Sequence, residues 1–199
     1  MRNIYTSVCL ILLAFLNLLC SCRNKDTDMT GNSSTEEVSM FKNKAKYGEE
    51  ISIHVDFSIP SSEPRFFVYD NKNDSLLSQS KCAHGCGGGS TVDTPVFSNT
   101  PGSECSSLGD YKLRSIGKLN TIDMPCIRID GLSASNSNAA SRGIVIHEGP
   151  IFADDITIGV KIPVSSYISQ GCFTISSNTF NLLCDEMRKN RTIYLYAYK

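Results

Sequence analysis

Cys172 closes the run Ser169-Gln170-Gly171-Cys172, and His147 closes the run Ile144-Val145-Ile146-His147 further upstream. A thiol attacks a carbonyl only as the thiolate, so a reactive cysteine needs a base or a positive field nearby, and imidazole is the usual supplier. The chain has three histidines, His54, His84 and His147. This pattern points to thiol chemistry with Cys172 as nucleophile and His147 as general base. The alternative is a buried structural cysteine and an unrelated core histidine. Gly171 lets the backbone come close to a developing oxyanion, with Ser169 and the Cys172 amide as candidate donors.

The N-terminus sets the compartment. Arg2 is followed by the apolar run Val8 to Leu19, interrupted by Asn17 and ending in Leu19-Cys20-Ser21-Cys22. The run is shorter than the roughly 20 residues a bilayer-crossing helix needs, and it has the shape of an export signal. Its end resembles a bacterial lipobox. That resemblance implies a signal peptide over 1–21, lipidation at Cys22, and an extracytoplasmic domain held on a membrane surface by its N-terminal lipid. The alternative is an ordinary secreted protein cut near Cys20 or Cys22.

With a net charge of −1, no basic cluster and no tryptophan, nothing points to a nucleic acid partner. Of nine cysteines, Cys9 and Cys20 leave with the signal and Cys22 carries lipid. Cys82, Cys86, Cys105, Cys126, Cys172 and Cys184 remain. In an oxidising compartment some of them can pair, but a catalytic thiol leaves an odd number of others.

Residues Arg23 to about Val38 are polar and too poor in apolar side chains to repay ordering, which predicts a flexible tether over 22–48 ahead of a domain over 49–199. Ile51, Ile53, Val55 and Phe57 alternate with Ser52, His54, Asp56 and Ser58, so a half-buried strand is expected, with His54 on its solvated face. Arg65 to Tyr69 and Leu76 to Cys82 flank a run of turn formers and predict a hairpin. Further strands are expected over Ile127 to Ile129, Gly143 to His147, Ile156 to Ile162 and Thr192 to Tyr198. Phe180, Leu183, Cys184 and Met187 recur at helical spacing, predicting a C-terminal helix near 178–190 with Ser177 as N-cap. The Ser-, Asn- and Ala-rich stretch Cys126 to Ser141 suits a flexible loop. The fold class is mainly β.

Ordered segments then carry a family resemblance. Asp56-Phe57-Ser58, Ala83-His84-Gly85, Phe97 to Ser103 with Ser106-Ser107-Leu108-Gly109, Ile129-Asp130-Gly131-Leu132, Arg142 to His147 and Ser169 to Cys172 follow in the order found in the murein L,D-transpeptidase catalytic-domain family, which the chain resembles from about Ile51 onward. The resemblance implies a mixed β-sandwich or barrel with few short helices. It also implies that Cys172 forms a thioester with peptidoglycan stem peptides, with His147 as base, Ser169 and Gly171 at the oxyanion, His84 near substrate and no cofactor or metal. An amine acceptor would make a cross-link; water would make the same site an L,D-carboxypeptidase. A non-catalytic wall-binding lipoprotein is the reading from another class. It is kept open by Gln170 and Thr174, where many members have His and Arg or Asn, and by Glu148, which either charges His147 or is simply exposed. For Cys82-Ala83-His84-Gly85-Cys86, the other readings are a Cys82–Cys86 disulfide beside a loop histidine, or a metal site without an evident fourth ligand.

Overall fold

The computed structural model describes residues 45–119, 123–149 and 168–199. The expected signal and its Cys22, the tether as far as residue 44 and the strand expected over Ile156 to Ile162 lie outside the described residues. Among the described residues, ten strands and one α-helix follow in order: β1 (Ile51–Asp56), β2 (Phe66–Asp70), β3 (Ser75–Ser80), β4 (His84–Gly85), β5 (Gly109–Lys118), β6 (Pro125–Gly131), β7 (Val145–Glu148), β8 (Ile168–Ser169), β9 (Phe173–Ile175), α1 (Ser177–Arg188) and β10 (Ile193–Tyr198).

Eight strands form one sheet in the order β3-β2-β1-β10-β5-β6-β7-β9, and β4 and β8 form a separate parallel pair. The large sheet is mixed: β1 runs parallel to β10 and β7 parallel to β9, while the remaining neighbours are antiparallel. Its two edges meet. The Ala83 amide just past β3 donates to the Thr174 carbonyl of β9 at 3.0 Å, and the Ser176 amide donates to Ser80 Oγ at 2.9 Å. These bonds satisfy backbone groups that an open edge would leave bare, so the sheet curls into a nearly closed, barrel-like body. Ile51, Ile53 and Val55 of β1, Tyr111 of β5, Ile127 and Ile129 of β6, Ile146 of β7 and Phe173 of β9 fill its interior.

α1 seals one side of that core with Phe180, Leu183 and Cys184, and Met187 packs at its margin. Burying a Phe or Leu side chain contributes roughly 1.5–3 kcal/mol, so this face, rather than intrinsic propensity, holds the helix in place. Its N-cap is Ser176, one residue earlier than expected, because Ser176 is extended and its Oγ accepts from the Thr179 amide at 3.4 Å.

The structure departs from expectation at four further places. His54 is fully buried, since β1 is an interior strand and the aromatic side chains of its neighbour β10 close over this face: the His54 ring stacks on Tyr196 at 5.2 Å and meets Tyr198 edge-on at 6.5 Å. The stretch from Cys126 is not a loop: β6 runs to Gly131. Asn136 then pins the following turn by accepting from the Ser133 amide at 2.8 Å and donating to the Asp110 carbonyl at 2.8 Å. Strand β5 was not expected at all. Its core residues Tyr111 and Leu113 alternate with exposed Lys112 and Arg114, the two-residue period of a half-buried strand. The folded body also takes in the end of the expected tether, where Lys46 pairs with Asp110 at 2.9 Å and Tyr47 stacks on Tyr194 at 4.3 Å.

Candidate active site

The parallel ladder of β7 and β9 brings the two sequence-predicted residues to one place. Ile146 pairs with Phe173 and His147 with Thr174, so Thr174 and His147 stand side by side on one face of the sheet. Cys172 precedes β9 by one residue. Side chains two apart on an extended segment share a face, so Cys172 lies on the His147 face, diagonal to it. On the other flank of β7, Cys126 of β6 pairs with His147.

The His147 ring is held by its own backbone neighbour. Nδ1 lies 2.9 Å from the Glu148 carbonyl oxygen, which can only accept, so Nδ1 carries the proton and Nε2 is left as the basic nitrogen. It is the Glu148 carbonyl, not its carboxylate, that orients the imidazole. Nε2 lies 3.2 Å from Thr174 Oγ1. The position occupied by Thr174 therefore meets the base directly. No direct Cys172–His147 hydrogen bond occurs among the described residues; the Cys172 thiol is directed at the Gly143 carbonyl, 3.8 Å away. Apo sites often hold catalytic partners loosely, and they tighten only when substrate is bound.

The turn that presents Cys172 is built by Ser169. Its Oγ accepts from the Gly171 amide at 3.1 Å and donates to the Cys172 carbonyl at 2.7 Å. The hydroxyl's single proton is thereby used inside the turn, so Ser169 shapes the loop and leaves the Cys172 amide as the donor candidate for an oxyanion. Gly171 has φ +112°, and a Cβ there would stand 2.8 Å from the Cys105 carbonyl oxygen and 2.7 Å from Ile144 Cδ1. Only glycine fits both the backbone angle and the space. Gln170 is exposed at the tip of the turn.

Cys172 is half-buried. Its withdrawal from water is the largest influence on the thiol and pushes its pKa above the ordinary value. A hydrogen bond from the Val145 backbone pulls it down, Cys126 pushes it up, and Arg142 pulls it down. The resting group is therefore the thiol, and a base must take its proton before it can attack.

His84 lies beneath this site rather than in it. The ring is fully buried, with Nδ1 accepting from Arg65 Nη2 at 2.8 Å and Nε2 donating to the Thr91 carbonyl at 2.7 Å. Both nitrogens are occupied, so the imidazole faces no substrate in this conformation. Instead β4 pairs His84 with Ile168 and Gly85 with Ser169, and the Cys86 amide donates to the Ser169 carbonyl at 2.6 Å. β4 thus anchors the start of the Ser169–Cys172 turn. Desolvation, followed by the Arg65 charge, lowers the His84 pKa to about 4. Cys82 is buried too, and desolvation pushes its thiol up to about 12. The Arg65 guanidinium against His84 also disfavours a cation, which removes the metal reading of this segment. Cys82 and Cys86 are both free thiols.

A cavity of about 610 Å³ lies against the paired ends of β5 and β10, lined by Lys46, Gly109, Asp110, Ser133, Tyr196, Ala197 and Tyr198. It contains none of the residues gathered around Cys172.

A family model described as an L,D-transpeptidase catalytic domain matches residues 25–196. No curated protein matches the chain. Among solved structures, it is similar to an L,D-transpeptidase from Xylanimonas cellulosilytica DSM 15894, at 10% identity and a TM-score of 0.42, covering 77% of this chain and 63% of that one. It is also similar to an L,D-transpeptidase from Mycobacterium smegmatis, at 13% identity and a TM-score of 0.40, covering 75% and 60%. A third is the LD transpeptidase LdtMt1 in complex with imipenem, at 13% identity and a TM-score of 0.39, covering 76% and 60%. The chain spans between 60% and 63% of the length of these three structures.

Proposed function

Because the chain belongs to the L,D-transpeptidase catalytic-domain family, we propose that it is a cysteine acyltransferase of peptidoglycan stem peptides, with Cys172 as nucleophile and His147 as general base. The observation that carries this reading is the β7–β9 register. It sets His147 and Cys172 on one sheet face while the Glu148 carbonyl leaves Nε2 as the basic nitrogen.

In the first half-reaction Nε2 takes the Cys172 proton, and Sγ forms a bond to the donor carbonyl carbon. The Cys172 amide stabilises the oxyanion that results. Collapse breaks the peptide C–N bond, and the imidazolium returns its proton to the departing D-amino acid. In the second half-reaction an amine of another stem attacks the thioester, loses its proton to His147 and releases the thiol. Splitting one amide exchange in two lowers each barrier. Water in place of the amine gives trimming by the same residues. The action lies outside the cytoplasm, with the domain tethered to a membrane through a lipid on Cys22.

Imipenem, the ligand in one of the similar structures, is the test reagent. Incubating the full chain with it should add one adduct by intact mass, mapped to Cys172, while Cys172→Ala gains none. No adduct on an intact Cys172, or an equal gain in the variant, overturns the assignment. Muropeptide profiles after incubation with sacculi then separate cross-linking from trimming.

A further inference from the structure

Arg142 lies just before the strand that carries His147, and its guanidinium is fixed by four hydrogen bonds. Nη1 donates to the Ser98 carbonyl and to Ser107 Oγ, both at 2.8 Å; Nη2 donates to Ser103 Oγ at 3.2 Å and to the Cys105 carbonyl at 2.5 Å. All four acceptors are neutral, and Arg142 forms no ion pair among the described residues. Guanidinium stays protonated throughout the accessible pH range. A rigid positive charge without a carboxylate counterpart is therefore built into the loop of residues 98–107.

Two contacts place that charge beside the nucleophile. The Cys105 carbonyl held by Nη2 is the one that a Cβ on Gly171 would approach to 2.8 Å, and Gly171 precedes Cys172. The carbonyl of Gly143, the residue after Arg142, receives the Cys172 thiol at 3.8 Å. The cation could serve the site in two ways, as a clamp for a substrate carboxylate or as a field on the sulfur. A clamp needs the planar fork of Nη protons, and here neutral protein acceptors occupy both Nη nitrogens. The field needs no free proton.

We infer that Arg142 is the fixed cation that stabilises the Cys172 thiolate and so sets the pH at which this sulfur reacts. The inference rests on the assignment of Cys172 as nucleophile. It agrees in sign with the downward pull of Arg142 on the thiol. The other titratable or charged groups on the elements around Cys172 are His147 and Glu148 of β7, Cys126 and Arg128 of β6, buried neutral His84 of β4 with Cys86 just past it, and Glu104 and Cys105 of the 98–107 loop, where Glu104 accepts from the Cys86 thiol at 3.4 Å. Among these Cys126 acts against the thiolate, and Arg128 turns away to donate to the Lys118 carbonyl at 3.2 Å. Arg142 acts on the sulfur through space, so it is a positioning and electrostatic residue.

The test follows alkylation of Cys172 by iodoacetamide against pH, read on the Cys172 peptide by mass spectrometry, in the full-length wild type, Arg142→Gln and Arg142→Lys. Loss of the charge in Arg142→Gln should raise the midpoint by roughly half to one pH unit, slowing alkylation at neutral pH about three- to tenfold. Arg142→Lys keeps the charge and should stay near the wild-type midpoint. A midpoint unmoved in folded Arg142→Gln, or raised equally in both variants, overturns the inference. Where Arg142→Gln loses its fold by circular dichroism, Arg142→Lys decides: a wild-type midpoint supports the inference, and a raised one sinks it. Alkylation needs no transpeptidase activity. A missing imipenem adduct therefore counts against the proposed function, and an unmoved alkylation midpoint counts against Arg142 alone.

Discussion

Two cysteine–histidine neighbourhoods among the described residues differ in how open they are to chemistry. Cys82 and His84 are two residues apart in sequence, whereas Cys172 and His147 are brought together only by the β7–β9 ladder. Spacing alone would favour the first. In the fold, however, Cys82 and His84 are both fully buried, the imidazole is locked between Arg65 and Thr91, and the thiol is held near 12. At the second pair the sulfur is half-exposed, the imidazole keeps a basic nitrogen aimed into the shared face, and a cation stands nearby. The lesson is that access to water and the occupancy of ring nitrogens decide reactivity, and residue type decides only what is possible.

The sharpest way to break this comparison is to exchange the fates of the two histidines. His147→Gln should slow imipenem acylation of Cys172 about 10²- to 10⁴-fold, the range lost with a general base, while His84→Gln should leave the rate within a few-fold. Stopped-flow fluorescence or timed mass spectrometry reads both. Equal losses would mean that His84 does chemistry after all.

Next comes the lock on the silent pair. Arg65 donates to the Cys82 and Ile59 carbonyls as well as to His84, and it is fully buried. Arg65→Met should cost upward of roughly 4 kcal/mol, because the buried Cys82 carbonyl, the buried His84 Nδ1 and the half-buried Ile59 carbonyl lose their donor at once. A loss of unfolding free energy in urea of less than a quarter of that would show the lock to be slack.

The smallest expected effect is in pH dependence. His84 is neutral in the fold and its pKa, about 4, lies below the ordinary 6.5. The unfolded chain therefore binds the extra proton between those values, and stability falls as pH drops from about 6.5 toward 4. The loss approaches on the order of 3 kcal/mol at the lower end. Denaturant midpoints of wild type should fall more steeply over that window than those of His84→Gln, whose amide can still accept from Arg65 and donate to Thr91. Parallel curves would show that His84 carries no proton linkage.

Much of this architecture could be read along the chain. The alternation in β1, the hairpin of β2 and β3, and the helical spacing of Phe180, Leu183, Cys184 and Met187 follow from local periodicity, and each appears in the structure within a residue or two. What misled was local as well. His54 alternates with apolar residues as a solvated side chain would, but Tyr196 and Tyr198 of the neighbouring β10 cover that face, which nothing within β1 reveals. β5 carries the same alternation as β1, with Tyr111 and Leu113 inward and Lys112 and Arg114 outward, so it too was legible in the chain.

The sequence by itself determined the chemical possibilities: a thiol after a glycine, a histidine ending an apolar strand, and an ordered set of segments shared with a peptidoglycan-active family. Tertiary structure decided which of these groups stay accessible and which are locked away. Register, a property of two strands at once, set His147 beside Thr174 and diagonal to Cys172. Backbone carbonyls, invisible in composition, chose the His147 tautomer and fixed Arg142. Burial, which depends on the whole sheet, withdrew Cys82 and His84 from chemistry despite their adjacency.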